Sequence, residues 1–268
     1  MTTTLLIIDP QRDFMDERDS PVPIKGAVTD MMNLTDNLIY QYGENIDRVV
    51  VCLDQHTPHH IADPIMWLDR RNRNPKPYTQ ITHADVVSGK WRAASEALQE
   101  IQADYVRDAE AAGPGLTIWP RHCVIGSRGA AMCPRLAMDL LAWSSPTRHL
   151  HFFPKSQNWS TEHLSSFQTI VPRYDDGTTW FNNYLYSAIQ ADTILIAGEA
   201  LSHGVRATVL DAINYAPDQK LIDRMVLLED CTSAMPGHRV AADEFLHEFA
   251  SRGGRFGRSD AYYRDLSD

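Results

Sequence analysis

Cysteine is scarce in this sequence: Cys52, Cys123, Cys133 and Cys231 are the four in a chain of 268 residues. They are widely spread and no two form a Cys-x-x-Cys pair. That argues against a secreted disulfide framework and for reduced thiols, as expected of a cytoplasmic protein. Long hydrophobic runs are also missing. No stretch is long and apolar enough to span a membrane. The opening nine residues lack a basic region and end their short apolar run on Asp9, unlike a signal peptide. Basic charge is in deficit, with 25 Lys and Arg against 35 Asp and Glu and a formal net charge of −10. A surface of that sign disfavours nucleic acid and anionic membrane, so the expected partner is a small-molecule substrate. Internal repeats, low-complexity tracts and lipidation motifs are absent.

What is present is an alternation of short apolar runs with helical patterns. Residues Thr3–Ile8, Arg48–Leu53, Arg148–Phe153, Thr193–Ala197 and Leu221–Leu228 read as strands covered on both faces. Helical patterns fall over Val28–Tyr42, Trp91–Ala112, Ala130–Trp143, Thr179–Gln190, Val205–Tyr215 and Val240–Ser251. The fold class this predicts is α/β, a doubly wound and mainly parallel sheet, in a single domain over residues 1–268. The stretch 57–120 is irregular, with Arg70, Arg71, Arg73, Pro75 and Pro77, and reads as a long excursion with one helix, a lid or an oligomer contact. The glycine-bearing tail after Arg252 reads as a surface extension.

In open parallel sheets, ligands bind beyond the carboxyl ends of the strands. Here those ends carry reactive groups: Asp9, then Asp54-Gln55-His56, then Lys155, then Gly198-Glu199-Ala200. Asp54 and His56 are two residues apart, so both can face one ion, and carboxylate plus imidazole suits zinc, iron or manganese. The plain alternative is a helix cap beside a surface histidine. His59 and His60 enrich the segment; His60 reads equally as a support behind the ligands or as a structural residue. His122 offers a third ligand. Cys123 beside it could be a nucleophile, although a small buried thiol is the stronger reading. Asp9 and Lys155 form a candidate charge pair, either an acid/base with its tuning ammonium or a structural ion pair.

Taken together these segments resemble the nicotinamidase/isochorismatase superfamily. Asp9-Pro10-Gln11-Arg12-Asp13-Phe14 resembles the family's Asp-x-Gln-x-Asp-Phe opening. Asp54 to His60 is similar to its Asp-x-His-Pro-x-x-His metal loop, with the proline displaced by one. Trp119-Pro120-Arg121-His122-Cys123-Val124 is similar to Trp-Pro-x-His-Cys-Val, Lys155 with Ser165-Ser166-Phe167 to the Lys…Ser-Ala-Phe stretch, and Gly198 to Thr208 to Gly-x-Ala-x-x-x-Cys-Val-x-x-Thr. The resemblance implies a three-layer α/β hydrolase fold, often oligomeric. It implies Asp9 as catalytic acid/base with Lys155 as partner, and a divalent metal on Asp54, His56 and His122. It further implies a cis peptide before Ala200, whose amide and that of residue 204 face a developing oxyanion. Aromatic rings sandwich the substrate in nicotinamidases; Phe14 with Trp67 or Trp119 could do so here, and core packing is an equal alternative for either tryptophan.

One position departs from the pattern. Gly204 stands where the family's nucleophilic cysteine stands, and a glycine forms no thioester. Three readings follow. The chain is a nicotinamidase-type amidohydrolase, acting on nicotinamide or a related small amide, whose nucleophile has been replaced. Or it is a hydrolase that uses Asp9 and water, as isochorismatases do with the glycine that Leu201-Ser202-His203-Gly204 partly echoes, although isochorismatases lack the metal loop. Or it is a catalytically dead ligand-binding protein.

Overall fold

The computed structural model describes residues 1–260; positions 261–268 of the expected single domain lie outside the described residues. Its centre is a six-stranded sheet of β1 (Thr3–Ile8), β2 (Arg48–Asp54), β3 (His149–Lys155), β4 (Thr193–Gly198), β5 (Met225–Leu228) and β6 (Arg255–Gly257). The order across the sheet is β6-β5-β4-β1-β2-β3, and every neighbouring pair is parallel. This is the doubly wound α/β arrangement expected from the sequence, with its reversal of winding between β1 and β4.

The alternation of side chains along each strand builds two cores. Leu5, Ile7, Val49, Val51, Leu195 and Ala197 face one side. There they meet Ala27, Met31, Leu34 and Leu38 of the consecutive helical segments Ala27–Asn33 and Leu34–Ile39, and Leu136, Leu140 and Trp143 of the helix Pro134–Trp143. Leu6, Ile8, Val50, Cys52, Ile194 and Ile196 face the other side. They pack on Leu185 and on Val209, Ala212, Phe245 and Phe249 from the helices Arg206–Tyr215 and Arg239–Ser251. Both faces of β1 and β4 are covered, which is why those strands are buried at every position and read as unbroken apolar runs.

Several expectations need correction. β3 continues to Lys155, beyond Phe153; it is the edge strand, where Pro154 removes no needed ladder donor, and its His149, His151 and Phe152 are exposed. The tail after Arg252 is more than a surface extension, because Arg255–Gly257 pairs with Val226–Leu228 and closes the far edge of the sheet. Leu221–Arg224 is a short 3-10 turn leading into β5, and the residues 91–93 expected to begin a helix form a strand. The 57–120 excursion holds two antiparallel ribbons, Trp67–Asp69 with Trp91–Ala93 and Gln80–Ile81 with Leu116–Thr117, and two helices, His83–Val87 and Gln99–Ala112, where one was expected. It packs into the body of the fold, with Trp67, Tyr105, Val106, Ala109 and Ile118 fully buried in the first core. Among the described residues no helix is long and apolar enough to cross a membrane.

Candidate active site

The carboxyl ends of β1, β2, β3 and β4 deliver side chains to one cavity. It is lined by Asp9, Phe14, Asp54, Trp119, His122, Lys155, Ala200 and Gly204 among others, a position suited to a ligand at a topological switch point.

Asp9 follows the last residue of β1 in a left-handed conformation, φ 48°. Its Oδ2 lies 2.7 Å from Lys155 Nζ, and both side chains are 4% exposed. Lys155 also donates to the Leu164 carbonyl at 2.6 Å. Asp9 Oδ1 is buried without a hydrogen-bond partner among the described residues. Burial pushes the Asp9 carboxyl up to about 7; the Lys155 ammonium opposes that rise, and the Asp54 charge adds to it. Burial would lower Lys155, but Asp9 and Asp54 outweigh it and hold the ammonium charged.

Asp54 ends β2. Its Oδ2 is 3.0 Å from His56 Nε2 and 3.2 Å from His122 Nε2. One ligand atom from each of the three lies within 4.8 Å of the others, and all three residues are buried. Gln11 fixes the backbone of Asp54: Asp54 N–H donates to Gln11 Oε1 at 2.7 Å, and Gln11 Nε2 donates to the Asp54 carbonyl at 2.5 Å. His122 is aimed by its other nitrogen, Nδ1, which is 2.7 Å from the Pro120 carbonyl. Asp13 secures the loop by accepting from Cys123 N–H at 2.7 Å. A Cβ on Gly129 would sit 2.1 Å from that carboxylate, so only glycine fits there. Asp54 Oδ1 is buried and unpartnered among the described residues, and two neutral imidazoles plus a carboxylate form an ordinary donor set for a divalent ion. The residues present therefore fit a metal. Burial favours neutral His56, but Asp54 outweighs it and raises the imidazole to about 9, so a metal ion would displace a proton on binding. His60 packs edge-on against His56 at 4.4 Å between ring centres; its Nε2 is 3.1 Å from the Thr161 carbonyl and its Nδ1 accepts from Ala62 N–H. Cys123 is fully buried, and burial raises its thiol well above the ordinary range, which leaves an inert packing group.

Ala200 and Gly204 come from the turn after β4. The Glu199–Ala200 peptide is cis, as the resemblance implied. A Cβ built on Gly204 would lie 2.7 Å from Asp9 Oδ2 and 2.8 Å from the Glu199 carbonyl. The Asp9 carboxylate thus stands against the bare backbone of Gly204. Phe14 and Trp119 line the cavity, Phe14 edge-on to His122 and Trp119 edge-on to His203. Trp67 does not belong to this wall. It is fully buried in the first core, and its indole N–H donates to the Ile61 carbonyl at 2.7 Å, so packing and that bond account for it. Glu162, His163 and His203 also line the cavity, and the sequence did not single them out for it. Glu162 and His163 sit between Lys155 and the Ser165-Ser166-Phe167 motif, so polar residues inside a recognised stretch were the available signal.

No family model and no curated protein matches the chain. Solved structures do. An Acinetobacter baumannii nicotinamidase/pyrazinamidase superposes with a TM-score of 0.64 at 20% identity, covering 99% of this chain and 98% of the other. A Pyrococcus horikoshii pyrazinamidase in complex with zinc gives 0.55 at 18%, covering 96% and 99%. An isochorismatase-like hydrolase from Alkaliphilus metalliredigens gives 0.53 at 16%, covering 100% of both chains. The class is a layered, parallel α/β fold. Within it the chain has the isochorismatase-like architecture that nicotinamidases share.

Proposed function

We propose that the protein is a metal-dependent amidohydrolase of the nicotinamidase type, in a form that uses water where the nicotinamidase pattern carries a cysteine, and that its substrate is nicotinamide or a related small amide. The observation that carries this reading is the convergence on one cavity of the Asp9–Lys155 pair, Asp54 and His122 with His56 against Asp54, and Gly204. Asp54, His56 and His122 would hold the metal. When bound, the ion supplies Lewis-acid polarisation and an anchor for a donor atom of the substrate.

The remaining chemistry belongs to the chain. Asp9 as carboxylate takes a proton from a water molecule whose oxygen forms the bond to the amide carbon. The carbonyl oxygen gains charge and is received by the N–H groups of Ala200 and Gly204. As the C–N bond breaks, Asp9 returns its proton to the departing nitrogen, and carboxylate and ammonia result. Lys155 keeps a compensating charge 2.7 Å from Asp9 throughout. A base whose carboxyl titrates at about 7 is matched to this double duty near neutral pH. Gly204 suits a water-using form, because the volume in which a side chain would begin is already occupied by Asp9.

The test is ammonia release from nicotinamide and small aromatic amides by the protein loaded with zinc, iron or manganese. Turnover that depends on the metal is expected; inertness with metal bound would support a binding protein. The half-protonated state of Asp9 at neutral pH also favours a second reading, a vinyl-ether hydrolase in which Asp9 acts first as an acid. Pyruvate release from isochorismate without metal would select it.

A further inference from the structure

A buried glutamate is costly, and the proposed hydrolysis makes no use of Glu199. Its side chain belongs to a residue that is 0% exposed, and Asp30 of the helix Ala27–Asn33, packed against it, is 7% exposed. The two carboxyls are hydrogen-bonded to each other. Each keeps one buried oxygen, Glu199 Oε1 and Asp30 Oδ2, with no other partner among the described residues. Two carboxylates in contact away from water do not both ionise, so a proton lies between them. Glu199 Oε2 accepts from Ser233 N–H at 3.2 Å, which makes it the carbonyl oxygen of the acid and leaves Oε1 to carry the proton toward Asp30. Asp16 and Asp230 add negative charge around the pair and favour the retained proton.

Around this pair the turn after β4 is strapped to the segment after β5. Gly198 N–H donates to the Cys231 carbonyl at 2.9 Å, Leu201 N–H to the Ser233 carbonyl at 2.9 Å, and Met235 N–H to Ser202 Oγ at 3.1 Å. Glu199 lies among these bonds and carries the strap on to the helix at Asp30. Ser233 can sit there because Gly26 has no side chain; a Cβ at Gly26 would fall 2.6 Å from Ser233 Oγ. We propose that Glu199 is a positioning residue: as a neutral acid it donates to Asp30 and accepts from Ser233, and this two-sided hold fixes the turn that presents the Ala200 and Gly204 amides beside Asp9. The inference rests on the amidohydrolase reading for what those amides receive, and it adds the device that holds them. An apolar side chain would fill a similar volume but leave Ser233 N–H and the Asp30 carboxylate buried without partners, so packing alone does not replace it.

Three substitutions test the hold. Glu199→Gln keeps both contacts, an N–H donor for Asp30 and a carbonyl for Ser233, without an acid. Glu199→Leu and Asp30→Ala break the hold from its two ends, and either one serves if the other does not fold. The infrared difference spectrum of the native protein minus Glu199→Gln at neutral pH should show the carbonyl stretch of a protonated carboxyl; carboxylate stretches in its place overturn the inference. Amide hydrogen exchange then reads the turn at Leu201, His203 and Val205, whose N–H groups bond to Ser233 and Ala200, against the β1 amides as an internal reference. In Glu199→Leu and Asp30→Ala the turn should lose about threefold to tenfold in protection relative to β1, the worth of a hydrogen bond, and Glu199→Gln should keep the native ratio. Equal loss in turn and strand, no loss, or a glutamine variant that behaves like leucine or fails to fold overturns the inference. Ammonia release from nicotinamide by the metal-loaded proteins separates the two claims. Where turnover occurs, Glu199→Leu should lower kcat with KM little changed, since the amides act on charge that develops after binding, and glutamine should recover most of the loss. Turnover without the exchange pattern leaves the hydrolase reading and removes the role of Glu199; the exchange pattern without turnover does the reverse.

Discussion

Replacing Gly204 tests whether the glycine is built into the site or is merely a vacated cysteine position. A single methyl at residue 204 starts 2.7 Å from Asp9 Oδ2 and 2.8 Å from the Glu199 carbonyl oxygen. Both contacts are well inside van der Waals separation, and the second is to backbone. The carboxylate is not free to swing aside, because Oδ2 is also 2.7 Å from Lys155 Nζ, and the ammonium is held by the Leu164 carbonyl. Overpacking of this kind costs about 1–3 kcal/mol. The backbone at 204 belongs to a helical turn, so alanine returns up to about 1 kcal/mol through lower chain entropy. Gly204→Ala should therefore lose ~1–2 kcal/mol, or roughly 2–8 °C in Tm for a chain of this size. Turnover should fall further than stability, because Asp9 must leave its position. Thermal denaturation and metal-dependent ammonia release, measured on the same preparations, read the two effects. An alanine variant as stable and as active as the native protein would refute the reasoning. Gly204→Cys should behave like alanine in stability, and its thiol need not confer turnover.

Asp54→Ala or His122→Ala should each abolish stoichiometric uptake of zinc or manganese, measured by elemental analysis after dialysis; unchanged metal content in both would remove the metal site. Uptake by the native protein should release protons between pH 7 and 8, since His56 keeps its proton up to about 9 in the metal-free state; calorimetry in buffers of different ionisation enthalpy reads this. Asp9→Asn should lower kcat by about 10²–10⁴-fold, and the native kcat/KM should climb as pH rises through about 7, because the base must be ionised; a flat profile would place the base elsewhere. Glu199 and Asp30 are buried carboxyls, both raised chiefly by burial; Asp30 raises Glu199 further, whereas hydrogen bonds to Ser233 and Glu199 oppose the rise of Asp30. The folded state therefore holds protons that the unfolded chain gives up. Their contribution is complete below the ordinary carboxylate range and is lost as pH rises through the raised values. Glu199→Gln should flatten that fall, and urea midpoints at pH 6 and pH 9 measure it.

The parts of the fold that the sequence made legible are those whose environment is uniform. β1 and β4 are buried on both faces, so their apolar runs had no other explanation. β3 was legible only in part, because an edge strand shows the sheet only one neighbour and tolerates His149, His151 and Pro154. β6 was missed because three residues with two arginine- and glycine-flanked positions carry no strand signal; pairing to Val226–Leu228 holds them. Trp67 illustrates a general ambiguity, since a tryptophan near a metal loop serves a core as readily as a cavity, and only its bond to Ile61 decides. Asp9, Asp54, His122 and Lys155 were legible because each ends or follows a strand or lies in a recognisable segment. Glu162 and His163 were not, because what sets them apart is one buried atom each without a partner among the described residues, and a missing partner has no sequence signature.

The meeting of Asp9 with Gly204 is a consequence of how β1 and β4 touch. Ile8 pairs with Gly198 in the parallel ladder. Gly198 has φ 117°, a conformation that favours glycine, and a Cβ there would fall 2.0 Å from the Ile8 carbonyl oxygen. A side chain at 198 would therefore force the two strand ends apart just before the chain turns. With glycine, Glu199 N–H donates to the Ile8 carbonyl at 2.7 Å, and the turn carrying Ala200 to Gly204 lies on Asp9, the residue that follows β1. The close approach at 198 and the close approach at 204 are thus two contacts of one surface against Ile8 and Asp9. A side chain at 198 would displace the Ile8 backbone that precedes Asp9, and one at 204 would press on the carboxylate itself, on which the proposed chemistry turns.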